Sequence, residues 1–296
     1  MHRSLSMLLP DTLLRAGTPA LPTSCSPFHQ KRMPLALPVV VLAALLCGGS
    51  LAHANFAVAP LRQPGSSLDI SLGNEAGRAM RQAARWLCNQ QNPDGSWGTT
   101  QRVELTALAL TALAASPHPD DHASRSLAAL WLGQSATNHL SSLSAHAWRL
   151  LALTLSLPET PERSTYLRDL ARRAPSIDDA SADDRRFWQE VLAQAGLGEP
   201  PAPDADSTEL VARAAAIWPP PFNRSRAAWR LARLINRTAG GRLMRGQIVL
   251  DWRSHVASWL ISTQKSAPDG GGYWEADTAD AQLAETAYGM LCFLEL

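Results

Sequence analysis

The stretch that decides the fold is "WLCNQQNPDGSWG", residues 86–98, in which a tryptophan stands inside a turn. Turns favour glycine because it takes positive φ, and they favour Asp and Asn because these side chains bond the local backbone. Asp94 and Gly95 fit that rule, whereas the indole of Trp97 does not. A ring of this size is stable in a turn when another part of the chain buries it, so Trp97 indicates a contact between segments.

A second copy of this pattern stands near the C-terminus as "WLISTQKSAPDGGGYW", residues 259–274. In both copies a Trp-Leu pair precedes a glutamine, an Asp-Gly turn and a further tryptophan. The residues that correspond are Gln91 and Gln264, Asp94 and Asp269, Gly95 and Gly270, and Trp97 and Trp274. The apolar segments 106–113, 146–153 and 286–293 also align with one another. Repetition at a fixed register indicates a repeat architecture.

The rest of the chain alternates between apolar segments at helical spacing and loops rich in Pro, Gly and Asp. Its hydrophobic content of 46% comes largely from leucine and alanine, which favours helix over strand. We place Asn74 at the N-cap of the first helix, and no segment predicts a strand. The predicted fold is all-α, with helices near 74–91, 103–115, 121–134, 141–156, 162–174, 181–195, 207–217, 223–238, 247–264 and 279–295.

The two motif copies resemble the Gln-Trp repeats of squalene/hopene (triterpene) cyclases and the related repeats of protein prenyltransferase β subunits. The resemblance is strong over 74–115 and 247–296 and faint between them. It implies an α/α toroid over residues 74–296, a closed ring of about five helical hairpins. In that ring the segment 74–91 packs beside 279–295.

The resemblance also gives the motif residues a structural role. We expect Gln91 and Gln264 to bond unpaired backbone groups at helix ends. Each turn tryptophan then packs over that amide and buries its ring against the next hairpin. The alternative for Trp97 and Trp274 is that they stack on a substrate.

The chemistry of the resembling enzymes is missing from the sequence. Class II terpene cyclases protonate their substrate with an Asp-x-Asp-Asp motif. Here "SIDD" (176–179) and "SADD" (181–184) have serine in its first position, and the Asp-x-Cys of the prenyltransferase zinc site is absent. The "HPDDH" run (118–122) has metal-ligand residue types but also fits a short polar loop. We therefore expect no metal and no cofactor, and a non-catalytic role is favoured over catalysis.

Two classes of function remain open. The first is an exported, non-catalytic module that binds a protein, a glycan or a lipid. The second is an enzyme, which resembles either an isoprenoid cyclase or prenyltransferase, or a polysaccharide lyase. The formal net charge of +1 is too small to indicate a nucleic-acid partner.

The N-terminal region has the pattern of a secretory signal. Lys31 and Arg32 precede the apolar run 35–46, and Ala52-His53-Ala54 fits a signal-peptidase site. We predict a signal peptide over 33–54, cleaved after Ala54, and hence a secreted or periplasmic protein. Residues 1–32 are a dispensable extension, and 55–73 form a loose leader.

Six polar residues are candidates for a binding site at the mouth of the ring. The alignment of the inner helices places Thr106, His146 and Thr286 at one equivalent position, close to helix N-termini that attract anionic groups. Three charged residues lie within a turn of these positions, namely Glu104, Arg149 and Glu285. In the alternative, the threonines bond the backbone one turn back and the histidine is a core residue.

A basic stripe and two cysteines complete the candidates. Arg226, Arg230, Arg233 and Arg237 recur at spacings of 4, 3 and 4 on one helix. In one interpretation the stripe binds an anionic lipid surface or an acidic partner. In the other it pairs with the acidic segment 178–190 of the same chain. Cys88 and Cys292 either form a disulfide, which requires Cα atoms within about 7 Å, or stay free.

Overall fold

The structure, a computed structural model, describes residues 68–116, 118–135, 142–202 and 205–296. The extension 1–32, the signal 33–54, the cleavage site after Ala54 and most of the leader lie outside the described residues.

Helices account for most of the described residues, which confirms the all-α prediction. Their bounds are α1 Ile70–Asn89, α2 Arg102–Ala115, α3 His122–Gln134, α4 Leu143–Ser156, α5 Pro161–Arg172, α6 Ala182–Gln194, α7 Ala205–Ala216, α8 Ser225–Thr238, α9 Trp252–Thr263 and α10 Ala279–Leu294. A 3₁₀ turn over Pro119–Asp121 precedes α3. Each helix matches a predicted segment, with bounds that differ by a few residues.

The start of α1 differs from the prediction that Asn74 caps it. The Asp69 carboxylate accepts a hydrogen bond from the Ser71 N–H at 2.8 Å, so the helix begins at Ile70. An Asx side chain at the N-cap satisfies one of the unpaired N–H groups of the first turn. The last four residues of the predicted leader are therefore helical.

The prediction that no segment forms a strand was wrong for two short hairpins. Strands β1 (Leu243–Arg245) and β2 (Ile248–Leu250) pair antiparallel, as do β3 (Lys265–Ser266) and β4 (Gly272–Tyr273). Helix α9 consequently begins at Trp252 rather than near 247, capped by Asp251. Strands of two or three residues are too short to show an alternating pattern, which explains why they were missed.

The even-numbered helices form the centre of the molecule. Helix α2 packs on α4, α4 on α6, α8 on α10, and α10 on α2. Helix α2 is leucine and alanine nearly throughout, and every residue from Leu105 to Ala114 is buried. The odd-numbered helices pack outside this group: α3 lies on α2 and α4, and α9 lies on α1 and α8. Helix α1 packs on α10, as predicted for 74–91 and 279–295.

Both motif copies build the same joint between an outer helix and the following inner helix. The Trp97 indole donates to the Leu87 carbonyl at 2.7 Å, and the Trp274 indole donates to the Leu260 carbonyl at 3.0 Å. Each carbonyl lies in the last turn of its helix and also accepts a backbone N–H, from Gln90 and from Gln264 respectively. Both rings are buried, so the joint is formed without contact to solvent.

The glutamines have a role that differs from the expectation. The Gln91 amide donates to the Ser124 carbonyl of α3, and the Gln264 amide donates to the Ala79 carbonyl of α1, each at 2.9 Å. The tryptophan therefore adds a hydrogen bond to the last turn of the outer helix, and the glutamine reaches the next outer helix. The predicted burial of the two tryptophans is confirmed, whereas the predicted helix-end partner of the glutamines was wrong.

The Asp-Gly turns hold the tryptophans in position. The Asp94 carboxylate accepts from the Ser96 N–H, and the Asp269 carboxylate accepts from the Gly271 N–H. Gly95 has φ +91°, and a Cβ there would stand 2.7 Å from the Leu127 carbonyl oxygen, so only glycine fits. Gly270 has φ +77° at the corresponding position.

Candidate functional site

A cavity of about 450 Å³ opens between α6 and α8, with α4 and α10 behind it. Its volume is in the range of small-molecule sites. The lining is largely apolar, with charged groups concentrated on α6 and α8. We call it the α6–α8 cleft; its lining side chains include Trp148, Phe187, Trp229, Tyr288, Asp183, Asp184, Arg186, Glu190, Arg226, Arg230, Arg233 and Arg237.

Four aromatic rings form the floor of the cleft. The Trp148 ring centroid lies 4.7 Å from that of Phe187, 5.5 Å from that of Trp229 and 5.9 Å from that of Tyr288. Trp229 and Tyr288 are in turn 5.2 Å apart. Each ring comes from a different helix (α4, α6, α8 and α10), so the cluster exists only when the four helices converge. Sequence reasoning missed it because no spacing along the chain connects the four positions.

The arginine stripe on α8 lies against this floor. The Arg233 guanidinium is 5.0 Å from the centroids of both Phe187 and Trp229, and that of Arg226 is 5.5 Å from the Tyr288 centroid. A cation over an aromatic face is attracted by the ring quadrupole. The stripe therefore forms one wall of the cleft and is not simply a solvated surface.

The same arginines form ion pairs with the acidic segment of α6, as one of the two alternatives predicted. Arg233 contacts Glu190 at 2.7 Å, Arg237 also contacts Glu190, and Arg230 lies 3.9 Å from Asp183. Glu190 is 11% exposed, whereas the Asp183 side chain is 78% exposed. The Glu190–Arg233 pair thus joins α6 to α8 inside the protein.

Burial lowers the pKa of Arg233 and of Arg237 to about 10, with Glu295 opposing the effect. Both guanidinium groups stay charged at neutral pH. Five arginines and three carboxylates line the cleft, so its lining carries an excess of positive charge. A field of this sign favours an anionic group in the ligand.

Five of the six predicted mouth residues have polar groups that bond to the backbone, and the two threonines and the histidine are the uncharged ones. Thr106 accepts the Trp97 N–H at 2.8 Å, and Thr286 accepts the Trp274 N–H at 3.3 Å while donating to the Gln282 carbonyl. His146 donates from Nε2 to the Leu170 carbonyl at 2.9 Å. Burial lowers the pKa of His146, so the ring is neutral at neutral pH.

Arg149 is buried as well and donates to the Leu132 and Ser135 carbonyls at 2.6 and 2.8 Å. These two carbonyls lie at the C-terminal end of α3, where a cation complements the helix dipole. Arg149 therefore ties α4 to α3. Among the described residues, no contact connects Arg149 with Glu285.

Glu104 and Glu285 are the two predicted residues that lie beside the cleft. Glu285 accepts the Ser225 N–H at 2.5 Å, and so caps α8, whose own N-cap residue Arg224 makes no side-chain cap. Burial raises the pKa of Glu104, and the nearby charge of Arg226 opposes that effect. Both carboxylates thus act on the first turn of α8, at the Arg226 end of the stripe.

The "HPDDH" run forms a capping structure. The His118 Nδ1 accepts from the Asp120 N–H, and the Asp121 carboxylate accepts from the His118 N–H and from Arg125. In the parts of the chain that the structure describes, no group of three His, Cys, Asp or Glu side chains converges on a metal position. Cys88 and Cys292 are both free thiols.

Comparison with known proteins yields no relative. No family model, curated protein or solved structure matches the chain. Within the described ranges, no helix has the length and hydropathy needed to cross a membrane.

Proposed function

We propose that this chain is an exported α/α-toroid protein of the cyclase and prenyltransferase repeat type that binds a ligand without catalysis. The proposed ligand is a small amphipathic anion held in the α6–α8 cleft. The observation that carries the proposal is the convergence of an arginine stripe and a four-ring aromatic floor in one open cavity.

The toroid part of the proposal rests on the packing order of the helices. The inner series runs α2, α4 and α6 on one side and α2, α10 and α8 on the other. Helices α6 and α8 meet through the Glu190 ion pairs and through Phe187 and Trp229. This order is the one expected of five hairpins in a closed ring.

The ligand class follows from the chemistry of the cleft. An apolar body suits the accessible leucines of the lining, Leu210, Leu231 and Leu234, which lie beside the aromatic floor. An excess of arginines suits a carboxylate, sulfate or phosphate. Trp148, Trp229 and Tyr288 are each less than 8% exposed, so they do not offer the open ring faces on which a sugar stacks. A lipid-like anion therefore fits better than a glycan.

Matched fluorescent probes test this proposal. Anilinonaphthalene sulfonate carries an apolar body and one anionic group, and N-phenyl-1-naphthylamine is its neutral counterpart. We expect the sulfonate to bind with one-to-one stoichiometry, and Arg226→Gln with Arg230→Gln to weaken it about tenfold, because each loses a charge-assisted contact. The neutral probe should bind the variant and the original chain alike.

The control is Arg168→Gln, since Arg168 is an exposed arginine on α5, away from the cleft lining. It should leave the binding of both probes unchanged. Equal affinity of the two probes for the original chain, or no effect of the α8 substitutions in a variant with an unchanged circular dichroism spectrum, would contradict the proposal.

The export part is tested separately. Mass spectrometry of the protein recovered from the periplasm or the medium should show a chain that begins at Asn55. A chain that keeps Met33 at its terminus would contradict the cleavage site.

One observation favours the enzyme alternative of an isoprenoid cyclase. Glu104 is a half-buried acid with a raised pKa near the aromatic floor, and cyclisation needs a protonated acid near rings that stabilise cations. If this alternative holds, incubation with squalene should give cyclic products, and Glu104→Gln should abolish them. The proposed binding module gives no product with either chain.

A further inference from the structure

The β1–β2 hairpin exposes apolar side chains that the rest of the fold does not cover. Its register pairs Leu243 with Leu250, Met244 with Val249, and Arg245 with Ile248. Side chains alternate between the two faces of a strand, so the inward Leu243 forces Met244 and Val249 outward, while Ile248 pairs with Arg245 at the turn end of the hairpin. Met244, Ile248 and Val249 are 42%, 62% and 64% exposed.

The base of this hairpin is held firmly. The Trp252 indole and the Arg253 guanidinium both donate to the Gly241 carbonyl, at 2.9 and 2.7 Å. Leu243 is fully buried, and β1 packs against α7. The exposed end therefore projects from a fixed base, although an isolated two-stranded hairpin is only marginally stable by itself.

Two arginines flank the exposed apolar group. Arg242 and Arg245 are both exposed, and neither forms an ion pair with a described residue. This differs from the α8 stripe, in which three arginines pair with α6. The hairpin thus combines exposed apolar side chains with two arginines that no described carboxylate compensates.

We propose that the β1–β2 hairpin is a membrane contact that lies in the head-group region of an anionic bilayer. Met244, Ile248 and Val249 would enter the boundary between head groups and acyl chains, and Arg242 and Arg245 would bind lipid phosphates. Such a surface fits either an anionic membrane or a second copy of this chain, and the charge of the hairpin favours the membrane. A second copy of this chain would bring the uncompensated arginines of both copies together, whereas an anionic lipid neutralises them.

Sedimentation with lipid vesicles tests the inference. The full chain should sediment with phosphatidylglycerol vesicles and much less with phosphatidylcholine vesicles. Arg242→Gln and Arg245→Gln should each weaken binding to the anionic vesicles by about fivefold. Met244→Ser combined with Val249→Ser should weaken it at least about tenfold, because these apolar side chains no longer leave water. Val249→Phe should strengthen it.

Two matched controls are made in the same full chain, so that residues outside the hairpin contribute equally. Leu127→Ser removes an exposed apolar side chain of α3, and Arg168→Gln removes an exposed arginine of α5. Neither of them should change sedimentation. Circular dichroism of every variant confirms that it is folded.

Two outcomes would overturn the inference. One is binding to phosphatidylglycerol that the hairpin variants leave unchanged. The other is a dimer in light scattering that becomes a monomer in the Met244→Ser and Val249→Ser variant, which would assign the hairpin to a second copy of this chain. Neither outcome affects the probe binding of the α6–α8 cleft.

Discussion

Two buried threonines of α2, Thr106 and Thr111, use their hydroxyl groups differently. Thr106 accepts the backbone N–H of Trp97 from the turn, whereas Thr111 donates to the Ala107 carbonyl within its own helix. Only the first hydroxyl has a partner outside the helix. The role of Thr106 is therefore to hold the turn that carries the tryptophan.

We predict that Thr106→Val lowers the free energy of unfolding by about 1–3 kcal/mol, because a buried N–H loses its acceptor. Thr111→Val is the matched control and should cost less than about 1 kcal/mol, since the Ala107 carbonyl keeps its helical partner. Urea unfolding followed by circular dichroism measures both. Equal costs for the two variants would show that the Thr106 hydroxyl does not support the turn.

Glu104 gives a pH dependence whose sign follows from its raised pKa. In the unfolded chain a glutamate releases its proton at a pH of about 4.3, before the buried carboxyl does. Between that pH and the raised pKa the folded state holds more protons, so stability falls as the pH rises. The burial penalty is complete above the raised pKa and absent below about pH 4.3.

We predict that Glu104→Gln is more stable than the original chain at pH 7, because the amide is neutral. The difference should shrink as the pH falls and vanish near pH 4. Urea unfolding at several pH values gives the two curves. A difference that does not change with pH would mean that the carboxylate is not penalised by burial.

At the scale of elements, α6 and α8 are joined by one carboxylate that serves two arginines. Glu190 contacts Arg233 where both side chains are largely buried, and it also contacts Arg237, whose side chain is 38% exposed. The Asp183–Arg230 pair connects the same helices at the surface. Loss of one partner from a buried pair leaves a charge without compensation, whereas an exposed pair contributes little.

We predict that Glu190→Gln lowers the free energy of unfolding by about 3 kcal/mol or more. Asp183→Asn, which removes the exposed partner, should cost less than about 1 kcal/mol. A double-mutant cycle of Glu190→Gln with Arg233→Met isolates the pair term. Comparable losses of unfolding free energy from Glu190→Gln and Asp183→Asn would contradict the conclusion that Glu190 forms the buried connection between α6 and α8.

The elements also show what the sequence could and could not predict. Long helices such as α2 repeat an apolar pattern over several turns, so their existence and type were predictable. The strands of Lys265–Ser266 and Gly272–Tyr273 have only two residues each and carry no such signal. The aromatic floor was not predictable because Trp148, Phe187, Trp229 and Tyr288 meet only through tertiary packing.

The hydrogen-bond partners of the motif residues were likewise not predictable from the sequence. The sequence predicted that Gln91 and Trp97 act in a joint between helices. It did not predict that the Gln91 amide reaches the Ser124 carbonyl, 33 positions away. Local spacing identifies a joint, whereas its hydrogen-bond partners depend on how neighbouring hairpins pack.

At the scale of the whole molecule, several contacts connect its first and last segments. The Gln264 amide bonds the Ala79 carbonyl, the Asn89 amide bonds the Asp269 carboxylate at 2.6 Å, and Asp280 accepts from the N–H groups of Thr99 and Thr100. These partners are separated by 180 to 185 positions along the chain. The N-terminal hairpin is thus held by the C-terminal one with the same kind of joint that Gln91 makes to α3.

In the proposed ring, the two chain ends lie at a position where consecutive hairpins are otherwise connected by a loop. If α10 is followed in space by α1 as α2 is followed by α3, a short linker from Leu296 to Leu68 restores a normal connection. We expect a circular permutant with this linker, and with new termini between Glu199 and Pro200 in the exposed α6–α7 loop, to fold and unfold in one cooperative transition. The chain from Leu68 to Leu296 without permutation is its control, and circular dichroism with urea unfolding compares them. A ring places the ends of α10 and α1 together, because consecutive hairpins repeat the same geometry around one axis. A permutant that stays unfolded while its control folds would show that the first and last hairpins are not joined as neighbours in a ring.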